Sequence, residues 1–334
     1  MESQEDCVED RISLRQVGFW DMSVMLGAGH FSFVMLGTDT RSGARRAVKI
    51  AKKETFAQFL AMRGSSLNIR SEAEMLEGFN HPYIVRCVEW FETHTQLYIV
   101  MELLHEDLLQ DVQNRGCFSE IIGRRVFAQL SSAVAYVHSR NVVHRDLKLE
   151  NVMLTGKDRD SALVKLVDFG LARRSVTEHD CRTFCGTLHY CAPEVVRCGE
   201  SHCGHVREGY GKHVDQWSMG VILYIVLCGS PPFEDEDLCG QIRQGRVAFD
   251  EAEWCSAQEA AKELIRRLMV VDWRNRLTSE QMLDYVRHVW PVCSVMSPQK
   301  RTLTDAAEDS PPGEGPSRKT SRQLPCGSNA LPMS

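Results

Sequence analysis

The residues with the clearest chemical potential form an eight-residue run, His144-Arg145-Asp146-Leu147-Lys148-Leu149-Glu150-Asn151, which Asp168-Phe169-Gly170 follows. An aspartate can accept a hydroxyl proton, and a lysine two residues later can steady a phosphoryl group during its transfer. Asparagine and aspartate side chains also supply the hard oxygen ligands that Mg²⁺ prefers. Polar turns with a capping aspartate would be the simpler interpretation, but they do not account for so many ordered positions. The run therefore predicts the catalytic residues Asp146 and Lys148 and the metal ligands Asn151 and Asp168.

A glycine-rich stretch, Leu26 to Val34, lies between two strand-like runs. Gly27 and Gly29 would let backbone N–H groups approach phosphate oxygens without obstruction by side chains. Because a strand rather than a helix follows, a dinucleotide-binding turn is disfavoured. Ser32 stands where a third glycine is expected, and it is small enough for a tight turn. On these residues alone, a phosphate-binding turn and an ordinary glycine hairpin are both open.

A lysine, Lys49, ends the next apolar strand-like run. A strand lysine is usually solvated, and that interpretation is open for this residue taken alone. The functional alternative places its ammonium group on the α- and β-phosphates of a nucleotide, where a helix carboxylate holds it. Glu72 and Glu74 are the candidate carboxylates. We expect Glu72, ten residues before Pro82, to make the pair and Glu74 to point to solvent.

Composition and charge narrow the class of protein. The 334 residues are 43% hydrophobic and 25% charged, with a formal net charge of −6, which gives no case for nucleic-acid binding. The first residues hold no apolar stretch typical of a secretory signal, so we expect the 13 cysteines to be free thiols. The longest apolar run, 219–228, is far shorter than the roughly 20 residues that span a bilayer. We therefore expect an intracellular protein, cytoplasmic or nuclear, with no membrane or nucleic-acid partner.

The hydrophobic pattern divides the chain into a sheet-rich part and a helical part. Up to residue 103 it predicts strands around one helical segment, Asn68 to Phe79. From residue 104 it predicts a long amphipathic helix up to His138, a buried helix from Met219 to Cys228, and a short hairpin between them. The last residues turn to Ser, Pro, Gly, Lys and Arg, which predicts a disordered tail. The expected division is an arm 1–17, a domain 18–291 with lobes 18–103 and 104–291, and a tail 292–334.

From about Phe19 to Trp290 the chain resembles the eukaryotic protein kinase domain. The resemblance rests on the motifs above, on Cys191-Ala192-Pro193-Glu194, and on the residues around Asp215 and Arg276. It implies an α+β bilobal fold, in which a small antiparallel-sheet lobe with one helix precedes a larger, mainly helical lobe. It also implies ATP and Mg²⁺ as cofactors, protein substrates, and Lys148 as the signature of serine/threonine kinases. Structural roles are implied for Glu194, Asp215 and Arg276.

Within that family, several stretches are similar to the calcium/calmodulin-dependent kinase group, and most of all to the catalytic domain of checkpoint kinase two. The stretches are Ser66 to Ile69, Arg182 to Thr187, Gly209 to Asp215, Pro231 to Phe233 and Leu268 to Asp272. The resemblance implies that Thr183 is an activating phosphosite, modified by an upstream kinase or by trans-autophosphorylation. It implies that Thr187, in the loop beside the phosphoacceptor, bonds the catalytic base and lysine.

The resemblance also assigns the nucleotide and peptide sites. The implied ATP-binding residues are Leu26, Gly27, Gly29, Val34, Ala47, Lys49, Glu72, Met101, Glu102, Leu104 and Asp107. The hinge from Glu102 to Leu108 is one residue short and lacks the usual glycine pair, and Asp107 aligns with the acid that contacts the ribose. The implied substrate preference is an arginine three residues before the acceptor, paired with Glu150, or with Glu106 or Asp107. Solvated surface acids are the simpler alternative for these carboxylates.

Pseudokinases are the main alternative from another functional class, because they use the same fold as a binding scaffold. They usually lack the strand lysine, the catalytic aspartate or the metal aspartate. Here Lys49, Asp146, Asn151 and Asp168 are all present, which favours an active enzyme.

Two further segments carry open alternatives. The insertion 198–210 holds two cysteines and two histidines that could bind zinc, although an exposed loop with incidental thiols fits their spacing better. In the tail, Arg318 to Arg322 fits the basic substrate preference. It is an autophosphorylation site, a weak pseudosubstrate or simply a basic tail.

Overall fold

Strands dominate the first hundred residues of the computed structural model, which describes residues 16–29, 32–63, 68–175, 177, 180–181, 185–200, 209–250, 254 and 257–291. The strands are β1 Gln16–Val17, β2 Trp20–Ala28, β3 Ser32–Asp39, β4 Arg45–Lys52, β5 Cys87–Glu92 and β6 Gln96–Met101. They form a six-stranded antiparallel sheet in the order β1-β2-β3-β4-β6-β5. Helices α1 Lys53–Arg63 and α2 Ser71–Gly78 lie between β4 and β5 in the chain.

The continuous apolar sequence of strand β6 reflects the burial of both of its faces. Leu97 and Ile99 pack into the large core that extends through the helical lobe. Tyr98 and Val100 pack on the opposite face of the sheet with Trp20. A strand covered on both sides needs apolar residues at every position rather than at alternate ones.

Helix α2 begins later than the sequence predicts. The side-chain oxygen of Asn68 accepts a hydrogen bond from the backbone N–H of Arg70 at 3.0 Å. The backbone carbonyl of Asn68 accepts a hydrogen bond from the backbone N–H of Ser71 at 2.9 Å, so these residues form a turn. Phe79 is already extended, with a φ of −93° and a ψ of 133°. Helix α1 was not predicted at all. Residues 64–67, which include part of a stretch used for the resemblance, lie outside the described residues.

Helices dominate the described residues from 108 to 291. The helices are α3 Leu108–Arg115, α4 Glu120–Ser139, α5 Pro193–Glu200, α6 His213–Cys228, α7 Leu238–Gln244, α8 Glu259–Leu268 and α9 Ser279–His288. Short strands β7 Val142–Val143 and β10 Arg173–Arg174 pair with each other, as do β8 Val152–Leu154 and β9 Val164–Leu166. The predicted hairpin and both predicted long helices are therefore present, and the architecture confirms the α+β bilobal class.

Helix α6 forms the centre of the helical lobe. Every residue from Val214 to Leu227 is buried, which accounts for the long apolar run of the sequence. Gly229 ends the helix with a φ of +90°, a conformation that glycine adopts without strain. Among the described residues, every helix is too short or too polar to cross a lipid bilayer. The eight described cysteines are free thiols.

Candidate active site

A cavity of about 270 Å³ lies between the sheet and the β8–β9 hairpin. Strands β2 and β3 cover it with the glycine-rich turn, β6 and the following hinge form its wall, and the hairpin forms its floor. Its lining residues are Leu26, Gly27, Ala28, Gly29, Ser32, Val34, Ala47, Lys49, Glu72, Val85, Met101, Glu102, Leu103, Leu104, Glu150, Asn151, Met153, Val167 and Asp168. The predicted ATP-binding residues other than Asp107 all lie in this lining.

Sequence reasoning missed several lining residues. Ala28 and Leu103 adjoin predicted residues and could have been found as their neighbours. Val167 precedes Asp168, and Met153 lies two residues after Asn151. Val85 gives no local signal, because the tertiary fold alone brings its segment to the cavity.

Three charged side chains meet at one end of the cavity. The Lys49 ammonium group donates to both carboxylate oxygens of Glu72, at 2.8 and 2.7 Å, and to Asp168 Oδ1 at 2.7 Å. Glu74 is exposed on the same helix, α2. Gly170 leaves room for this arrangement, since a Cβ there would lie 3.1 Å from Asp168 Oδ1 and 3.4 Å from Glu72 Oε2.

The protonation of this cluster follows from burial and neighbouring charge. Burial pushes the pKa of Asp168 up, but the charge and hydrogen bond of Lys49 outweigh it and lower that pKa to about 2. Burial pushes the pKa of Lys49 down, and the charges of Asp168 and Glu72 outweigh it and raise that pKa. For Glu72, burial exceeds the effect of Lys49, so the Glu72 pKa is raised.

The predicted catalytic loop brings Asp146, Lys148 and Asn151 together. Asn151 donates from Nδ2 to the Asp146 backbone oxygen at 2.8 Å and to Asp146 Oδ2 at 3.1 Å. Lys148 Nζ lies 3.1 Å from Asp146 Oδ2 and donates to Thr187 Oγ1 at 3.0 Å. The Thr187 hydroxyl donates to Asp146 Oδ1 at 3.4 Å. One aspartate is thus held from three directions.

A buried carboxylate fixes the backbone of this loop. Asp215 accepts the backbone N–H groups of His144 at 2.8 Å and Arg145 at 2.9 Å, and it lies 2.8 Å from His138 Nε2. Burial raises the pKa of Asp215, but the hydrogen bond and charge of His138 and the contacts of His144 bring it below its usual value. Arg145 and Asp168 have φ angles of +68° and +59°, in the left-handed region that is unfavourable for side-chain-bearing residues. Their neighbours hold both residues in this strained conformation.

Glu194 and Arg276 form another long-range ion pair. Arg276 donates from its two terminal nitrogens to the two Glu194 oxygens at 2.8 and 3.1 Å, which is a bidentate contact. It also donates to the carbonyl oxygens of His213 at 2.6 Å and Val270 at 2.9 Å. The start of α5 is therefore fixed to the segment before α9.

The candidate peptide-binding acids differ in their surroundings. Glu150 lines the cavity, and its Oε2 is buried with no hydrogen-bond partner in the described part of the chain. Asp107 lies outside the lining and caps α3 by accepting the backbone N–H of Gln110 at 2.8 Å. Glu106 is paired with Arg115. The predicted ribose contact of Asp107 thus stays a prediction, and it would have to share the carboxylate with the helix cap.

Several predicted features lie outside the described residues. They include the phosphosite Thr183, most of the insertion 198–210, and the tail 292–334 with Arg318 to Arg322. Cys198, one of the candidate zinc ligands, is buried. The other three candidates, His202, Cys203 and His205, lie outside the described residues. These features stay predictions.

Comparison with known proteins identifies the family. The sequence model of the protein kinase domain matches residues 20–290, so the chain belongs to this family. Probable serine/threonine-protein kinase fhkE of Dictyostelium discoideum is 38% identical over 271 residues, which cover 80% of this chain and 37% of that protein. Serine/threonine-protein kinase 33 of Mus musculus is 36% identical, with 80% of this chain and 54% of that protein covered. The chain thus spans about half or less of the length of these two relatives.

A shorter relative is covered more completely. Calcium/calmodulin-dependent protein kinase type 1 of Macrobrachium nipponense is 36% identical over 294 residues, which cover 86% of this chain and 77% of that protein. The relatives therefore include serine/threonine kinases and kinases of the calcium/calmodulin-dependent type.

Proposed function

We propose that this chain is a serine/threonine protein kinase that transfers the γ-phosphoryl group of ATP to a protein hydroxyl. The observation that carries the proposal is the cluster of Lys49, Glu72 and Asp168 at one end of the cavity, in a chain whose Asp146 is held by Lys148. A buried lysine between two carboxylates is preorganised to meet phosphate oxygens. No observation favours the pseudokinase scaffold, because the residues that such proteins usually lack are present and in contact.

Each side chain has a chemical role in the proposal. Asp146 accepts the proton of the substrate hydroxyl, and the Lys148 ammonium group stabilises the negative charge on the transferred group. Thr187 holds both side chains in place through its hydroxyl. Lys49 orients the α- and β-phosphates, and Glu72 keeps Lys49 directed into the cavity.

Asn151 and Asp168 fit the requirements of a Mg²⁺ site. The Asn151 amide nitrogen is used by Asp146, which leaves its carbonyl oxygen as the ligand atom. Asp168 has a pKa of about 2 and stays ionised at neutral pH. When bound, the ion would neutralise phosphate charge.

The proposed substrates carry an arginine three residues before the acceptor, and Glu150 is the acid that reads it. An unpartnered, buried carboxylate oxygen is costly, so a guanidinium partner would be favourable there. Glu106 is already paired with Arg115, and Asp107 caps a helix, which supports Glu150 over both.

Matched peptides test this specificity. We expect kcat/KM for an Arg-x-x-Ser peptide to exceed that for Ala-x-x-Ser by about tenfold, since one charge-assisted contact corresponds to roughly that ratio. Glu150→Gln should reduce the ratio toward one, whereas Glu74→Gln, at an exposed position, should preserve it. Equal turnover of both peptides by the wild type, or a ratio unchanged in Glu150→Gln, would show that Glu150 does not read arginine.

Our proposals on the regulation, domain organisation and location of the enzyme rest on the sequence. Phosphorylation of Thr183, by an upstream kinase or by a second copy, is proposed to activate it. Among kinases of the calcium/calmodulin-dependent type, its catalytic domain is proposed to be most similar to checkpoint kinase two. The matched range 20–290 supports a domain 18–291 between an arm 1–17 and a tail 292–334. An intracellular location is proposed from composition.

A further inference from the structure

A lysine of the floor hairpin, Lys165, is used by none of the roles proposed above. It lies in the middle of β9, directly opposite Met153 of β8. Residues paired in this way lie on the same face of a sheet, and Met153 lines the cavity floor. Only 13% of the Lys165 side chain is exposed. Burying an ammonium group in this way requires partners.

Those partners belong to two other segments of the chain. Lys165 Nζ lies 2.7 Å from Glu102 Oε1 in the hinge and donates to the carbonyl oxygen of Ile84 at 3.4 Å. The same Glu102 oxygen accepts the backbone N–H of Arg86 at 2.7 Å, and the Glu102 N–H donates to the Arg86 carbonyl at 3.1 Å. One side chain therefore joins the floor hairpin to the hinge and to Ile84, which precedes the lining residue Val85.

Backbone hydrogen bonds join the same segments at neighbouring points. Ile84 and Leu166 form an isolated parallel bridge, and the Val85 N–H donates to the Leu166 carbonyl at 3.0 Å. These bonds join residues 84 and 85 to the floor. Other backbone bonds join the floor to the later part of the hinge: the His105 N–H donates to the Leu154 carbonyl at 2.9 Å, and the Leu154 N–H donates to the Glu106 carbonyl at 2.8 Å. The ion pair of Lys165 with Glu102 adds a side-chain connection at the start of the hinge, where Glu102 lines the cavity.

We infer that Lys165 is a positioning residue that fixes the hinge for binding of the nucleotide base, an inference that rests on the proposed function. Within the described part of the chain, the Lys165 ammonium group contacts Glu102 and Ile84 and not the groups proposed to act on phosphate. An interaction that acts equally on the ground state and the transition state changes KM and leaves kcat unchanged. Loss of Lys165 should therefore weaken ATP binding without slowing the chemical step.

The test compares three variants at the same hairpin. Lys165→Met removes the charge and keeps most of the side-chain length, and we expect its KM for ATP to rise about five- to tenfold with kcat within about twofold. Lys165→Arg keeps the charge and should stay near the wild type. Lys157→Met, at an exposed position between β8 and β9, is the matched control and should leave both constants unchanged.

An unchanged KM in Lys165→Met would overturn the inference. A fall in thermal stability and kcat with no change in KM would do the same, because it would show a structural role only. If Lys165→Met does not fold, Lys165→Gln takes its place. Calorimetric titration with ATP and Mg²⁺ separates the two claims: a chain that binds ATP but phosphorylates no peptide contradicts the proposed function, while the affinities of the Lys165 variants still decide the inference.

Discussion

At the scale of single residues, the cluster of Lys49, Glu72 and Asp168 combines three buried or cavity-facing charges in one hydrogen-bonded group. The group is stable because one cation lies between two anions. Removal of the cation would leave two carboxylates facing each other without compensation, which typically costs about 3–5 kcal/mol for a buried pair.

Lys49→Met should therefore lower the free energy of unfolding, with a pH dependence of definite sign. In the wild type, the pKa of Asp168 is about 2 in the folded state against an ordinary value of 3.8, so its contribution is present above about pH 4 and is lost as the pH falls toward 2. In the variant, the carboxyl groups of Glu72 and Asp168 would lack their cationic partner. They would therefore destabilise the folded state only at pH values at which they are ionised. The difference in unfolding free energy between the two proteins should be largest near pH 7 and should shrink toward about pH 4.

Urea unfolding at several pH values between these limits measures this difference. Lys157→Met, which removes an exposed lysine, serves as the control and should show a small difference at every pH. A penalty for Lys49→Met that stays constant across the range would contradict the electrostatic account of the cluster.

At the scale of secondary-structure elements, close packing of helices α6 and α8 holds the helical lobe together. A Cβ on Gly220 of α6 would lie 2.6 Å from Met269 Cγ and 3.1 Å from Leu268 Cβ, both in buried residues. Gly220→Ala should therefore destabilise the domain by about 1–3 kcal/mol through overpacking. Gly78→Ala, at the end of α2 with open space around it, should be neutral or stabilising by up to about 1 kcal/mol. Thermal unfolding compares them, and a Gly220→Ala protein as stable as Gly78→Ala would refute the packing argument.

Elements with a strong sequence pattern could be predicted, and elements set by long-range contacts could not. The continuous apolar runs of β6 and α6 directly reflect burial on all sides. Helix α1 has no consistent apolar face and therefore no helical pattern in the sequence. The cap that Asp107 provides for α3 and the pair between Lys165 and Glu102 depend on partners that only the folded chain brings together.

The same distinction applies within the site. Asp146, Lys148 and Asn151 are neighbours in the sequence, so their spacing was enough to predict them as site residues. The choice of Glu72 over Glu74 rested on its spacing of ten residues from Pro82, and in the structure Glu72 accepts a hydrogen bond from Lys49. The unpartnered oxygen of Glu150 could not be read from the sequence, because it depends on what surrounds that side chain.

At the scale of the whole molecule, the proposed activation depends on phosphorylation of the segment between Asp168 and Glu194. Phosphorylation of Thr183 would add charge-assisted hydrogen bonds, each of which corresponds to about a tenfold change in an equilibrium. We expect Thr183→Ala to lower kcat by about tenfold or more relative to wild type phosphorylated on that residue. Thr177→Ala, in the same segment, is the matched control. Full activity in Thr183→Ala, with phosphate content determined by mass spectrometry, would rule out Thr183 as the activating site.

The most direct test of the proposed function is phosphoryl transfer from ATP and Mg²⁺ to an Arg-x-x-Ser peptide by wild type and Asp146→Asn. The account predicts turnover on the order of 1–100 per second for the wild type and phosphoserine as product. It predicts a loss of about 10²–10⁴-fold in the variant, because asparagine cannot accept the hydroxyl proton. Calorimetric titration should show that Asp146→Asn still binds ATP. Equal turnover by both proteins, or no turnover by wild type phosphorylated on Thr183, would contradict the assignment of this chain as a kinase with Asp146 as its base.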